Sequence, residues 1–143
     1  MPKTSRPLSV HPVSLREVEV ARVADVTPGM RRVTLAGAQL AGFVSPGFDD
    51  CVRLFFPYPG ETEPVLPLLE DGSLTPPKGL RPLNRVYSVR GWDAERGELD
   101  LDFVKHGVGV ATTWAYRAEP GDRIHFVGPN SSLGLPDADW LLV

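Results

Sequence analysis

One cysteine in 143 residues, Cys51, excludes an internal disulfide and any cysteine-based metal site. It lies in an apolar, strand-like run and reads as a small core residue. Histidine is nearly as scarce, and His11, His106 and His125 are too scattered for metal-ligand spacing. No apolar run approaches the roughly 20 residues that cross a bilayer, and the opening MPKTSRPLSVHPVSL lacks the apolar stretch of a signal peptide. The expectation is a cytoplasmic protein without membrane insertion. Positive charge is not in excess either. Fifteen Lys and Arg against 18 Asp and Glu leave a formal charge of −3, which argues against nucleic acid as a partner. No Ser-His-Asp grouping or carboxylate pair suggests hydrolytic catalysis.

Turn residues are what the chain has in abundance. Fifteen prolines and 14 glycines occur without a collagen-like period, between apolar runs that recur throughout. Many turns joining short strands account for this, in one domain large enough to bury a core. Residues 1–14 read as a flexible arm. Strand candidates follow at 15–26 and 30–35, joined by Thr27-Pro28-Gly29 as a hairpin, and at 50–56, where Val52, Leu54 and Phe56 share a face. Residues 57–83 form a long proline-rich excursion of the kind used for binding or as a lid. Further strands are expected at 84–91, 98–104 and 122–127. Leu99, Leu101 and Phe103 alternate with acids, as in a half-buried strand. Six short strands and one helix at 110–118 point to a small antiparallel barrel, which removes exposed sheet edges, or alternatively to a β-sandwich.

Two segments carry chemistry. In Arg85-Val86-Tyr87-Ser88-Val89-Arg90, an extended strand places Arg85, Tyr87 and Val89 on one side and Ser88 and Arg90 on the other. A guanidinium for phosphate, a ring for stacking and a small hydroxyl suit a planar, phosphorylated cofactor. The second is the turn Lys105-His106-Gly107-Val108-Gly109, which opens the helix of Val110, Ala111, Thr112 and Thr113. Free backbone N–H groups and the positive helix end converge there on an anion site, although an ordinary strand-to-helix connection has the same outline. The glycine spacing is not a dinucleotide fingerprint. Trp114 reads as packing and Trp92 as a candidate for adenine or a domain interface. At the other end, Trp140-Leu141-Leu142-Val143 resembles the start of a doubly buried strand, so the chain reads as truncated.

Taken in order, DDCVRLFFP (49–57), RVYSVRGWD (85–93), ELDLDFVKHG (98–107), GVATTWA (109–115), PGDRIHFVGP (120–129) and DWLLV (139–143) resemble the siderophore-interacting proteins. These are NAD(P)H-dependent ferric-siderophore reductases of ferredoxin-reductase-like architecture. The resemblance implies an all-β fold, a six-stranded antiparallel Greek-key barrel with one capping helix that binds FAD. It places that domain at 15–136 and the start of a missing C-terminal NAD(P)H-binding domain at 137–143. It implies that Arg85 pairs with the FAD pyrophosphate, that Tyr87 packs on the isoalloxazine, and that Ser88 sits beside flavin N5, with Val89 next in the motif. Gly109, Ala111, Thr112 and Thr113 would form the helix start that meets the phosphates, and His106 would lie near the cofactor. Val110 stands where the family usually has proline, and Thr112 where serine is common.

The implied activity moves electrons from NAD(P)H through FAD to a chelated ferric ion, the ferric siderophore being the substrate, and no side chain need be a nucleophile or base. The 143 residues alone would be incomplete for full activity. Arg31, Arg53 and Arg90 are candidates for steering an anionic chelate. Two other readings stay open: a flavin-dependent reductase of another acceptor, and a non-redox barrel that binds a ligand or partner.

Overall fold

The computed structural model describes residues 8–47, 49–105, 107 and 109–133. In chain order the strands are β1 (Leu8–Val10), β2 (Leu15–Thr27), β3 (Met30–Ala36), β4 (Cys51–Phe56), β5 (Leu68–Glu70) and β6 (Ser73–Thr75). They continue as β7 (Leu83–Ser88), β8 (Gly91–Asp93), β9 (Glu98–Val104), β10 (Arg123–Val127) and β11 (Ser131–Leu133), with helix α1 (Val110–Arg117) between β9 and β10. A short 3-10 turn covers Ala38–Leu40.

Seven strands form one sheet in the order β7-β4-β10-β2-β3-β9-β8, every pair antiparallel. The alternation read from the sequence places the core. Val33, Leu35, Leu99, Leu101 and Phe103 are fully buried on the facing strands β3 and β9. Each such side chain contributes about 1.5–3 kcal/mol through burial. Val52, Leu54 and Phe56 line the same core from β4, as their shared face predicts. On the outer side of β3 and β9 the polar groups answer one another. Arg32 Nε donates to Asp102 Oδ1 at 2.8 Å, and Thr34 Oγ1 donates to Asp100 Oδ1 at 2.6 Å.

The expected all-β, six-stranded Greek-key barrel is corrected by this topology. Among the described residues the arrangement is mixed, with an open seven-stranded sheet and one helix packed on it, and no sheet is closed. The cause lies in the run at 84–91. It splits at Val89-Arg90, where Val89 N–H donates to the Asp50 carbonyl at 2.8 Å and Arg90 N–H to the Asp100 carbonyl at 2.9 Å. Its first part pairs as β7 with β4, and its second part pairs as β8 with β9. Each part is laddered on one side only, so among the described residues no strand bonds both ends of the sheet, and β7 and β8 remain as its edges. The sheet nevertheless coils enough to bring Tyr87 of β7 against Phe103 of β9, ring centroids 4.4 Å apart.

Three connections hold the ends. The 57–83 excursion carries the β5–β6 hairpin, and the Tyr58 hydroxyl ties its base to the Arg81 carbonyl. Residues 8–14, within the segment read as an arm, contribute β1, which pairs with β11; His11 Nε2 lies 2.7 Å from Ser132 Oγ. Between β10 and β11 the chain passes close over β4 at Gly128. A Cβ there would stand 2.9 Å from the Cys51 carbonyl oxygen, and its φ of 107° also favours glycine. Cys51 itself is exposed, contrary to its reading as a core residue. It falls on the outer face of β4, where its neighbour is Ser88 across the ladder.

Candidate functional site

Strand β7 is an edge, paired only with β4, and its polar side chains are not taken up by a second strand. Arg85 and Ser88 are exposed, and Val86 is half exposed. Among the described residues the Arg85 guanidinium has no carboxylate partner. It donates to the carbonyl of Asn84, its own neighbour, at 2.7 Å. Tyr87 lies between surface and core: one side of its ring packs on Phe103, and its phenol is pushed above the ordinary tyrosine range. Partial burial is the main cause; the Thr112 side chain and the Arg85 charge act in the opposite direction.

The helix start lies across from this strand. α1 begins after Gly109, which is extended and offers no side-chain cap, and its first turn holds no acidic residue. Thr113 N–H donates to the Gly109 carbonyl, so the intrahelical ladder begins there. The N–H groups of Val110, Ala111 and Thr112 precede that ladder and carry the positive end of the helix. A Cβ added at Gly109 would meet nothing within 4 Å, so the space beside it is open.

The two segments meet in one groove of about 270 Å³, lined by Arg85, Val86, Tyr87, Gly109, Val110, Ala111 and Thr112. Five of the residues singled out from sequence, Arg85, Tyr87, Gly109, Ala111 and Thr112, are therefore brought together. Three others lie beside it. Ser88 points to Cys51, with Oγ and Sγ 3.9 Å apart; Val89 packs against the core; Thr113 follows Thr112 on the helix without lining the groove. His106 and residues 137–143 lie outside the described residues. Val86 and Val110 complete the walls; the sequence marks Val110 only as part of the helix start and Val86 not at all, because an apolar side chain there carries no signal separable from core packing.

Other candidates are resolved differently. Trp92 packs edge-on against Phe43 at 4.8 Å at the margin of the core and is partly buried. Trp114 packs on Phe56 and Phe103 at 6.0 and 5.9 Å, as expected of a packing residue. It also borders a hollow of about 510 Å³ on another side of the molecule, with Phe55, Glu63 and His125. Of the three arginines considered for steering, Arg90 Nε lies 3.7 Å from Asp102, and Arg31 is committed to Asp25 and to helix carbonyls. Among the described residues Arg53 bonds only the neutral Asn84, and with Arg81 it lines a groove of about 360 Å³ next to β7. Among the described residues no group of three His, Cys, Asp or Glu side chains is placed to hold a metal, and no helix is long and apolar enough to cross a membrane.

Residues 19–133 match the siderophore-interacting FAD-binding domain. The chain is 42% identical over 122 residues to the NADPH-dependent ferric-chelate reductase of Escherichia coli, covering 85% of this chain and 47% of that protein. It is 34% identical over 127 residues to the ferric vibriobactin reductase of Vibrio cholerae, covering 87% and 46%. Its fold superposes on a siderophore utilization protein from T. fusca with a TM-score of 0.87 at 40% identity, over 94% of this chain and 51% of that one. The chain thus spans about half the length of the relatives it matches. An edge strand carrying Arg-x-Tyr-Ser, facing an uncapped helix start within a match that runs through both, identifies the chain as a member of the siderophore-interacting FAD-binding domain family.

Proposed function

We propose that this chain is the flavin-holding part of an NAD(P)H-dependent ferric-siderophore reductase. The observation that carries the reading is the groove itself, in which an unneutralised guanidinium and the free N–H end of α1 face one space, with a half-buried tyrosine between them. These donors fit a diphosphate: both are positive, neither is answered by a carboxylate, and the helix end lacks a side-chain cap. The volume lies near the low end of the roughly 300–1,000 Å³ typical of small-molecule sites. The groove accordingly takes one part of a dinucleotide and leaves the remainder on the surface.

Arg85 and the amides of Ala111 and Thr112 would hold the pyrophosphate of FAD. Tyr87, backed by Phe103, would offer a flat apolar face, and Ser88 a small hydroxyl at the end of the strand. When bound, FAD supplies the ability to accept a hydride and to release electrons singly. The chain's own part is to bind, orient and exclude water. The Tyr87 phenol is neutral at pH 7 like any tyrosine, and partial burial moves its ionisation still further from that range, so that no anion stands against the ring face. Arg53 and Arg81, one ladder position from the motif because Arg53 faces Val86, would favour the approach of an anionic ferric chelate. The nicotinamide donor would be held by a further domain, which fits a chain spanning about half of its relatives. NAD(P)H as donor also suits the cytoplasmic setting expected from the sequence.

The test is to incubate purified protein with FAD, remove free ligand and record absorbance between about 350 and 500 nm, where bound flavin absorbs. Retained flavin that is lost in Arg85→Ala supports the assignment. Protein that stays colourless at saturating FAD refutes it. Rates of ferric-siderophore reduction by the longer protein, set against free flavin and small redox proteins as acceptors, test the substrate class.

A further inference from the structure

We propose that Arg31, which does not line the groove, is a positioning residue for it: by anchoring the C-terminal end of α1, it sets where the N-terminal end presents its amides. The inference rests on the FAD reading above. α1 has eight residues, about two turns, and a helix this short takes its position from its neighbours and not from its own stability. Its buried side chains, Ala111, Thr112 and Ala115, are small and allow close approach, while Trp114 holds the middle of the helix against Phe56 and Phe103. A polar anchor at the last turn then sets where the C-terminal end sits.

Arg31 is such an anchor. Its Nη1 donates to the carbonyls of Tyr116 at 3.3 Å and Ala115 at 3.5 Å, and its guanidinium lies 4.8 Å from the centre of the Tyr116 ring. Its Nε donates to Asp25 at 3.0 Å. The helix ends at Ala118 in extended backbone, without the left-handed glycine that usually closes the last carbonyls. Arg31 takes that part, and a cation there also complements the helix dipole. The residue is itself fixed, because it stands on β3 opposite Phe103, the residue that backs Tyr87. One strand pair therefore supports both walls of the groove, Tyr87 through Phe103 and the helix through Arg31. The neighbouring Arg32 spends its charge on Asp102, so the two adjacent arginines have unlike duties.

The experiment titrates purified wild type, Arg31→Met, Arg31→Lys, Asp25→Asn and Arg85→Ala with FAD and with riboflavin, which carries no phosphate, at low and high salt. Arg31→Met should weaken FAD by about three- to tenfold while leaving riboflavin unchanged, and the loss should persist at high salt. Arg31→Lys, a point charge replacing a fork, should fall between Met and wild type. Asp25→Asn should bind FAD within about twofold of wild type, because the helix contact survives. Wild-type FAD affinity in Arg31→Met, with Arg85→Ala still impaired, would overturn the positioning role and leave the flavin reading standing. A loss removed by salt would mean long-range attraction, and an equal loss for riboflavin would mean general loosening; either result also overturns it. Wild type that binds no FAD defeats both. Should Arg31→Met not fold, the FAD-to-riboflavin ratio in Arg31→Lys decides, and an unchanged ratio counts against the proposal.

Discussion

The β3–β9 pair and the edge strand β7 are built from similar residues and treat them in opposite ways. Along β3 and β9, Val33, Leu35, Leu99, Leu101 and Phe103 are in the core, and on the other face Arg32 and Thr34 pair across the ladder with Asp102 and Asp100. Along β7 the arginine turns back to its own backbone and the serine faces outward. In the first region charge is satisfied inside the molecule and the strand gains order. In the second it is left unanswered, which costs little at a solvated edge and leaves binding capacity for a ligand. Tyr87 is the hinge between the two, with one face on Phe103 and the other toward the groove.

The most severe way to break this contrast is Phe103→Ala. It removes a fully buried ring that touches both Tyr87 and Trp114, and should cost about 3–5 kcal/mol in stability. Denaturant unfolding would show it, and FAD binding should fall along with the fold. Arg85→Ala should do the converse, leaving the unfolding midpoint unchanged and lowering FAD affinity by about one to two orders of magnitude. Charge-assisted bonds of this kind are worth roughly 1.5–3 kcal/mol. Equal damage to stability and binding in both variants would erase the distinction between the regions.

Tyr87→Phe sharpens it further. The folded-state pKa of Tyr87 is raised, so its contribution to stability is present below the unfolded value near 10 and is lost as pH rises through the folded value. Replacement by Phe should remove that part of the alkaline loss, read from melting temperatures across pH, and should weaken FAD less than Tyr87→Ala does. The smallest effect belongs to Glu98→Gln. Arg22 holds the Glu98 carboxyl below its usual range, so its support is present above the unfolded pKa and fades as pH falls through the folded one. Arg22 is exposed and Glu98 only partly covered, so the pair is screened by solvent, and the substitution should shift only the acid side of the melting profile, and only at low salt.

Much of the site was legible because its two halves are local patterns. Arg85-x-Tyr87-Ser88 is a strand signature, and Gly109 before Val110 is a helix start, each readable within a few residues. Their meeting in one groove was implied only by the family resemblance, since more than twenty residues of chain separate them. Cys51 was misread because its apolar neighbours suggested burial, whereas its parity on β4 puts it on the outer face with Ser88. From the sequence Arg31 is a candidate for steering an anionic chelate; its helix partners lie more than eighty residues away, and nothing near it in the chain announces them.

Alternation, turn residues and the helix start thus determined which residues form strands, which faces are apolar, and where the positive helix end lies, because each depends on side chains close in sequence. Whether the sheet closes was decided only in three dimensions. Every residue but proline offers the same N–H and C=O, so composition does not say which neighbour a strand will bond. The run at 84–91 divides at Val89-Arg90 into β7, laddered to β4, and β8, laddered to β9, and neither part bonds both ends of the sheet. The same long-range geometry joined Tyr87 to the helix start across the coiled sheet and turned Arg31 into a support for α1.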